Sequence, residues 1–202
     1  MNQPAALPSA HAAFDAVRQE SIESLNIRVE QYRHRATGAL HQNEQIYDLL
    51  CLGTSVPQTV EGDTKSFTID YIDWKNPANN TYHCTAEFKV ERVGYDKHYI
   101  PDIVLFVNGI PLAVVECKKG GPNCANPMQE AFMQLQRYMN RRKVTAQQGL
   151  KEGEPRLFHT NLLVVRTSGM EADYGTITSG DEHFYPWKTQ WPQPDEVAND
   201  MN

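Results

Sequence analysis

Two continuous apolar runs, Ile103–Val107 (IVLFV) and Leu112–Val115 (LAVV), stand on either side of Asn108-Gly109. Asn-Gly readily adopts the left-handed backbone of a tight hairpin turn, and strands without polar alternation belong in a sheet covered on both faces. The segment therefore calls for a central β-hairpin around which the rest of the chain must be arranged. Upstream, Ser66–Trp74 and Thr81–Arg92 alternate apolar and polar residues as half-buried strands, and the turn residues PANN between them suggest antiparallel neighbours. Helical spacing marks residues 11–36 as one or two amphipathic helices, His41–Cys51 as further helix and Met128–Lys143 as a helix after the hairpin. Gly53–Asp63 reads as turn-rich, Leu162–Arg166 as one more buried strand, and the Pro- and Trp-containing end as irregular.

The ends of the hairpin carry charges that apolar strands seldom tolerate. Pro101-Asp102 enters the first run and Glu116-Cys117-Lys118 leaves the second. Alternation places Glu116 and Lys118 on one face and Cys117 on the other. With a three-residue loop, Val107 pairs with Pro111 and Asp102 falls opposite Glu116; a two-residue loop shifts this by one position. In the first register two carboxylates share one end of the hairpin, where they repel each other unless a cation such as Mg²⁺ sits between them. Phosphodiester cleavage uses this combination, because the phosphate must be neutralised while a water is deprotonated and aimed in line. Asp102, Glu116 and the backbone carbonyl of Cys117 are then the metal ligands, and Lys118 orients the water and stabilises developing charge. A surface hairpin with an incidental ion pair, contributing under about 1 kcal/mol, is the plainer alternative. Burying Glu and Lys at the end of an apolar strand without a purpose is costly, which favours the site.

Gln134 and Tyr138, four residues apart, share a helix face and can contact a DNA phosphate or hold the lysine. Arg137, Arg141, Arg142, Lys143 and Lys151 form a local basic run without an acid between Ala131 and Lys151, although a solvated helix face has the same composition. The whole chain is acidic, at −6, and residues 171–202 account for the excess with seven acids against Lys188. With 202 residues and 40% hydrophobic content the chain suits one folded domain. The four cysteines and seven histidines make no zinc spacing, and neither a GxxxxGK[ST] phosphate loop nor a GxSxG elbow occurs. No apolar run approaches a membrane span, and the N-terminus lacks the pattern of a secretory signal, so a cytoplasmic location is expected.

Taken together, IPDIVLFVNGIPLAVVECKKG, QLQRYMN, LFHTNLLVVRTSGMEADYGTIT and FYPWKT resemble the N-terminal nuclease domain of the restriction (HsdR) subunit of type I restriction-modification enzymes. IDWKNPANNTYHCTAEFKVER is similar to the same family upstream, so the resemblance covers roughly residues 66–190. It implies an α/β (α+β) restriction-endonuclease-like fold, a mixed sheet flanked by helices, that cuts double-stranded DNA with Mg²⁺. Asp102 and Glu116 match its metal carboxylates, Lys118 its catalytic lysine, and Gln134 and Tyr138 its QxxxY pair. Glu20 and Glu30 are candidates by position for a further helix acid. Cys117 departs from the usual aliphatic residue, and Lys97-His98-Tyr99-Ile100 replaces the basic residues that usually abut Pro-Asp.

The implied organisation is a disordered N-terminus (1–12), a PD-(D/E)xK nuclease domain (13–170) and an acidic linker (171–202) toward motor domains. Those motors would use ATP and are expected to lie outside this chain, which is then an excised domain or truncated product. The implied partners are DNA and the methyltransferase (M) and specificity (S) subunits. A non-catalytic docking module of the same fold and a repair-type nuclease are the competing possibilities.

Overall fold

A computed structural model describes residues 39–60, 63–92, 95–122, 124–142, 151–169 and 171–187. The reading of residues 11–36 as helix, and the candidates Glu20 and Glu30, lie outside these residues. The first described element is α1 (Ala39–Leu52), close to the expected helix. It stops at Gly53, whose φ of +68° allows its N–H to reach the Leu49 carbonyl at 2.9 Å.

Two expectations fail immediately after α1. The stretch read as turn-rich is a strand, β1 (Thr54–Val60), and its antiparallel partner is β2 (Asp63–Ile69). Pro57 is tolerated because this sheet has only two strands, so one side of β1 needs no ladder donor. β2 therefore does not pair with the next strand, β3 (Tyr82–Ala86), which instead lies antiparallel to β6 (Ile103–Val107). Between β2 and β3, Asp73 accepts the N–H groups of Lys75 and Asn76 and the Asn79 amide, which fixes a loop where the sequence pattern continued a strand. After β3, Glu87 takes a φ of +51°, and the chain continues into the short pair β4 (Val90–Glu91) and β5 (His98–Tyr99).

The main sheet has six strands, in the order β10 (Tyr185–Pro186), β9 (Ala172–Gly175), β8 (Leu163–Thr167), β7 (Ile110–Cys117), β6 and β3. β6 and β7 (Ile110–Cys117) form the central hairpin, and β8 (Leu163–Thr167) runs parallel to β7. The crossover between those two strands contains α2 (Pro127–Tyr138), giving the mixed sheet with helices of an α/β restriction-endonuclease-like fold. Asn126 caps α2 by accepting from Gln129 N–H at 3.2 Å, and Pro127 occupies its first turn. The helix is shorter than the expected Met128–Lys143. Asn140 adopts a φ of +58°, and its Oδ1 accepts from Glu152 and Gly153 N–H groups at 2.6 and 2.7 Å, turning the chain away.

The segment read as irregular also contributes to the sheet. β9 (Ala172–Gly175) pairs antiparallel with β8, and β10 (Tyr185–Pro186) pairs with β9. Arg166 explains this. Only 8% exposed, it bridges Asp173 at 3.0 Å and pairs with Asp181, while its guanidinium lies 4.6 Å from the Phe184 ring centroid. One arginine on β8 thus fixes acids from both parts of the following segment.

Val104, Val114 and Val164 are in register on adjacent strands, fully buried, and pack with Leu135 and Tyr138 of α2. Ile46, Leu49 and Leu50 of α1 form a second cluster with Ile110, Val107 and Leu112 at the turn end of the hairpin. On β6, Val107 alternates with Val104 and Phe106, and on β7 the register shift near Leu112 turns Ile110 away from the face of Val114, so this cluster lies on the opposite face from α2. No helix among the described residues is long and apolar enough to cross a membrane.

Candidate active site

Hairpin register decides whether the two carboxylates meet. The turn has two residues, Asn108 at φ +53° and Gly109 at φ +82°, so Val107 pairs with Ile110 and Phe106 with Pro111. That is the loop length expected to displace Asp102 from Glu116. Between Leu105 and Phe106 the register shifts, and Leu105 pairs with Ala113. The extra residue, Leu112, is a β-bulge. It restores Ile103 to Val115, and the next position along places Asp102 opposite Glu116. The three-residue loop is therefore corrected, while the juxtaposition it was meant to provide is present.

Asp102 is held by its own partner strand: its Oδ2 accepts the Cys117 N–H at 2.7 Å. Its backbone carbonyl accepts from Glu87 N–H at 2.8 Å. Glu116 is completely buried, with Oε1 paired to Lys118 Nζ and Oε2 lacking any hydrogen-bond partner among the described residues. Lys118 Nζ is also 4.0 Å from Asp102 Oδ2, so one ammonium faces two carboxylates. Burial pushes the Glu116 carboxyl up to about 7; Lys118 opposes that shift and the Asp102 charge adds to it.

Gln134 and Tyr138 meet, and through Tyr138 they reach the backbone just before Pro101-Asp102. Gln134 Nε2 donates to Tyr138 Oη at 2.7 Å, and Tyr138 Oη donates to the Ile100 carbonyl at 3.0 Å. Tyr138 is 1% exposed, and burial together with the Glu116 charge raises its phenol to about 12, so it remains a donor. Tyr99, which the sequence did not single out, stacks on Tyr138 with centroids 4.3 Å apart and donates from its hydroxyl to the Glu154 carbonyl at 2.8 Å. Its only visible mark is its place two residues before Pro101.

The basic run is divided. Arg137 lies 5.5 Å from the Tyr138 ring centroid on α2, whereas Arg141 and Arg142 follow the helix end. Arg141 donates to the Ile177 carbonyl, and Arg142 pairs with Glu152 at 3.6 Å. The polar partners of Arg141 and Arg142 among the described residues are thus within the chain. Lys143 lies outside those residues.

Among the described residues there is no group of three or more His, Cys, Asp or Glu side chains able to hold a metal. The Asp102–Glu116 pair nevertheless fits a hard divalent cation. An oxygen-only donor set is what such ions use, and the buried Glu116 Oε2 has no hydrogen-bond partner among the described residues.

The family model for the type I restriction enzyme R protein N terminus matches residues 5–183. The chain belongs to this family. It is 29% identical over 147 residues to the type I restriction enzyme HindI endonuclease subunit of Haemophilus influenzae, a match covering 73% of this chain and 13% of that protein. A putative type I restriction enzyme endonuclease subunit of Methanocaldococcus jannaschii, MjaIXP, is 27% identical over 143 residues, covering 70% of this chain and 12% of the relative. The chain thus spans a small part of the length of these curated relatives.

Proposed function

We propose that this member of the R-protein N-terminal family is the Mg²⁺-dependent endonuclease module of a type I restriction enzyme. The observation that carries the proposal is a completely buried glutamate, one oxygen unpartnered, aligned with Asp102 and ion-paired to Lys118. Asp102 and Glu116, with the Cys117 backbone carbonyl, would hold the cation. When bound, the cation supplies charge neutralisation at the scissile phosphate and lowers the proton affinity of the attacking water.

The chain's own residues perform the remaining tasks. Lys118 is already held between both carboxylates; in the cleavage complex it orients the water and stabilises charge on the phosphate. Tyr138 and Gln134 act one step away, by fixing the Ile100 carbonyl and with it the approach of Pro101-Asp102. Arg137 is the helix arginine best placed to follow a DNA backbone. DNA is the substrate, the M and S subunits supply assembly and sequence choice, and ATP-driven translocation belongs to motor domains of the complete R subunit.

The test is plasmid cleavage by the assembled enzyme carrying Lys118→Ala. Loss of cutting by at least about 100-fold, with metal binding and ATP hydrolysis retained, is expected for a residue acting in general acid–base or charge-stabilising chemistry. Cutting at the wild-type rate would remove Lys118 from the reaction.

A further inference from the structure

Beside the carboxylate pair, the ends of the parallel strands β7 and β8 open into a groove of about 840 Å³. Cys117, Lys118, Lys119, Gly120, Ser168 and Glu171 line it, so it begins where the candidate active site ends. We propose that this groove is a second phosphate subsite, which receives the backbone of double-stranded DNA next to the cleaved bond, with Lys119 and Ser168 as its phosphate ligands. The inference rests on the nuclease reading above.

Three observations support it. The first is charge. The lining carries Lys118 and Lys119 against Glu171, in a chain whose formal charge is −6. Lys118 is committed to Glu116, whereas Lys119 is exposed and makes no ion pair among the described residues, leaving its ammonium available for an anion.

The second is register. Cys117 pairs with Thr167, and Thr167 with Ala172, so the next positions place Ser168 beside Lys118 and Glu171 beside Ser168. Ser168 N–H donates to the Glu171 carbonyl at 3.0 Å, which keeps this row in place beyond the strand ends. A phosphate at Ser168 would therefore lie two rows beyond the Asp102–Glu116 level, in line with a strand continuing from the cleavage site.

The third is space. A side chain at Gly169 would meet nothing within 4 Å, and one at Gly120 would meet only Pro127 Cγ, at 3.6 Å. At Gly169 the φ of +81° calls for glycine in its own right, whereas at Gly120 glycine leaves room for a close backbone approach that neither packing nor backbone conformation requires. Gly120 has an ordinary backbone conformation, so a larger residue there obstructs the groove without forcing the fold.

The test is fluorescence anisotropy of the whole 202-residue chain with a labelled DNA duplex in Ca²⁺, titrated over a range of salt, for wild type, Lys119→Ala and Gly120→Leu. Mn²⁺ titration of the same proteins and of Glu116→Gln runs in parallel. Lys119→Ala is expected to reduce the log–log salt slope by about 0.9, one phosphate contact, and Gly120→Leu to lose the affinity. Both should bind Mn²⁺ as wild type does. Wild-type DNA affinity and slope in both variants would overturn the subsite, as would a wild-type chain that does not bind duplex at all. In either case Mn²⁺ binding that depends on Glu116 would leave the nuclease reading intact, and its absence would remove that reading separately.

Discussion

At Glu116 the fold maintains a charge where the surroundings disfavour it. Its carboxyl titrates near 7 because burial outweighs Lys118. Between the ordinary carboxylate range and that value, the folded chain holds more protons than the unfolded one, so stability decreases as pH rises through this window. The shift corresponds to about 3 kcal/mol. Denaturation in urea at pH 5 and pH 8 should therefore show Glu116→Gln gaining on wild type as pH rises, by an amount of that order. A difference between the two that does not change with pH would contradict the buried-charge account. Tyr138→Phe tests the neighbouring contact. It leaves the Ile100 carbonyl without its donor and should cost about 1 kcal/mol in stability while weakening Mn²⁺ binding. Unchanged metal affinity would show that the tyrosine does not position Asp102.

Among the elements, the hairpin was the most legible in the sequence and also the one misread in detail. Asn-Gly between apolar runs defines the turn, whereas nothing in IPLAVV marks Leu112 as the extra residue of a bulge. A bulge depends on twist and packing, here the fit of Leu112 against the α1 cluster, and neither is written in local propensity. The pairing of β2 failed for a related reason: alternation marks a strand without naming its partner. Turn chemistry at Asn108 is a third case. Its side chain accepts Thr81 N–H at 2.8 Å and donates to the Tyr71 carbonyl at 2.9 Å, contacts made with residues 27 and 37 positions away. Asn108→Ala should lose both bonds and strain the left-handed position, costing about 2 kcal/mol in chemical denaturation. A loss below about 0.5 kcal/mol would mean that the turn is not fixed by this residue.

Across the molecule, residues 171–202 read from their acidic excess as an irregular linker, yet Asp173 and Asp181 are partners of a buried arginine in the sheet. Charge counting cannot distinguish an acid in water from an acid paired at a distance in sequence. Arg166→Ala should therefore destabilise the whole fold, by about 3 kcal/mol, because it leaves carboxylates without their counter-charge beside the sheet. Thermal unfolding reads this; an unchanged midpoint would show that β9 and β10 are held independently. Glu116 stands in register with Arg166, but that arginine is committed to Asp173 and Asp181, so the repulsion between Asp102 and Glu116 calls for a cation. Calorimetric titration of the chain with Mn²⁺, comparing wild type with Asp102→Asn and Glu116→Gln, tests it most directly. Saturable binding is expected in wild type, with affinity rising as pH approaches 8, and its loss in both variants. Saturable binding that survives both substitutions would contradict it.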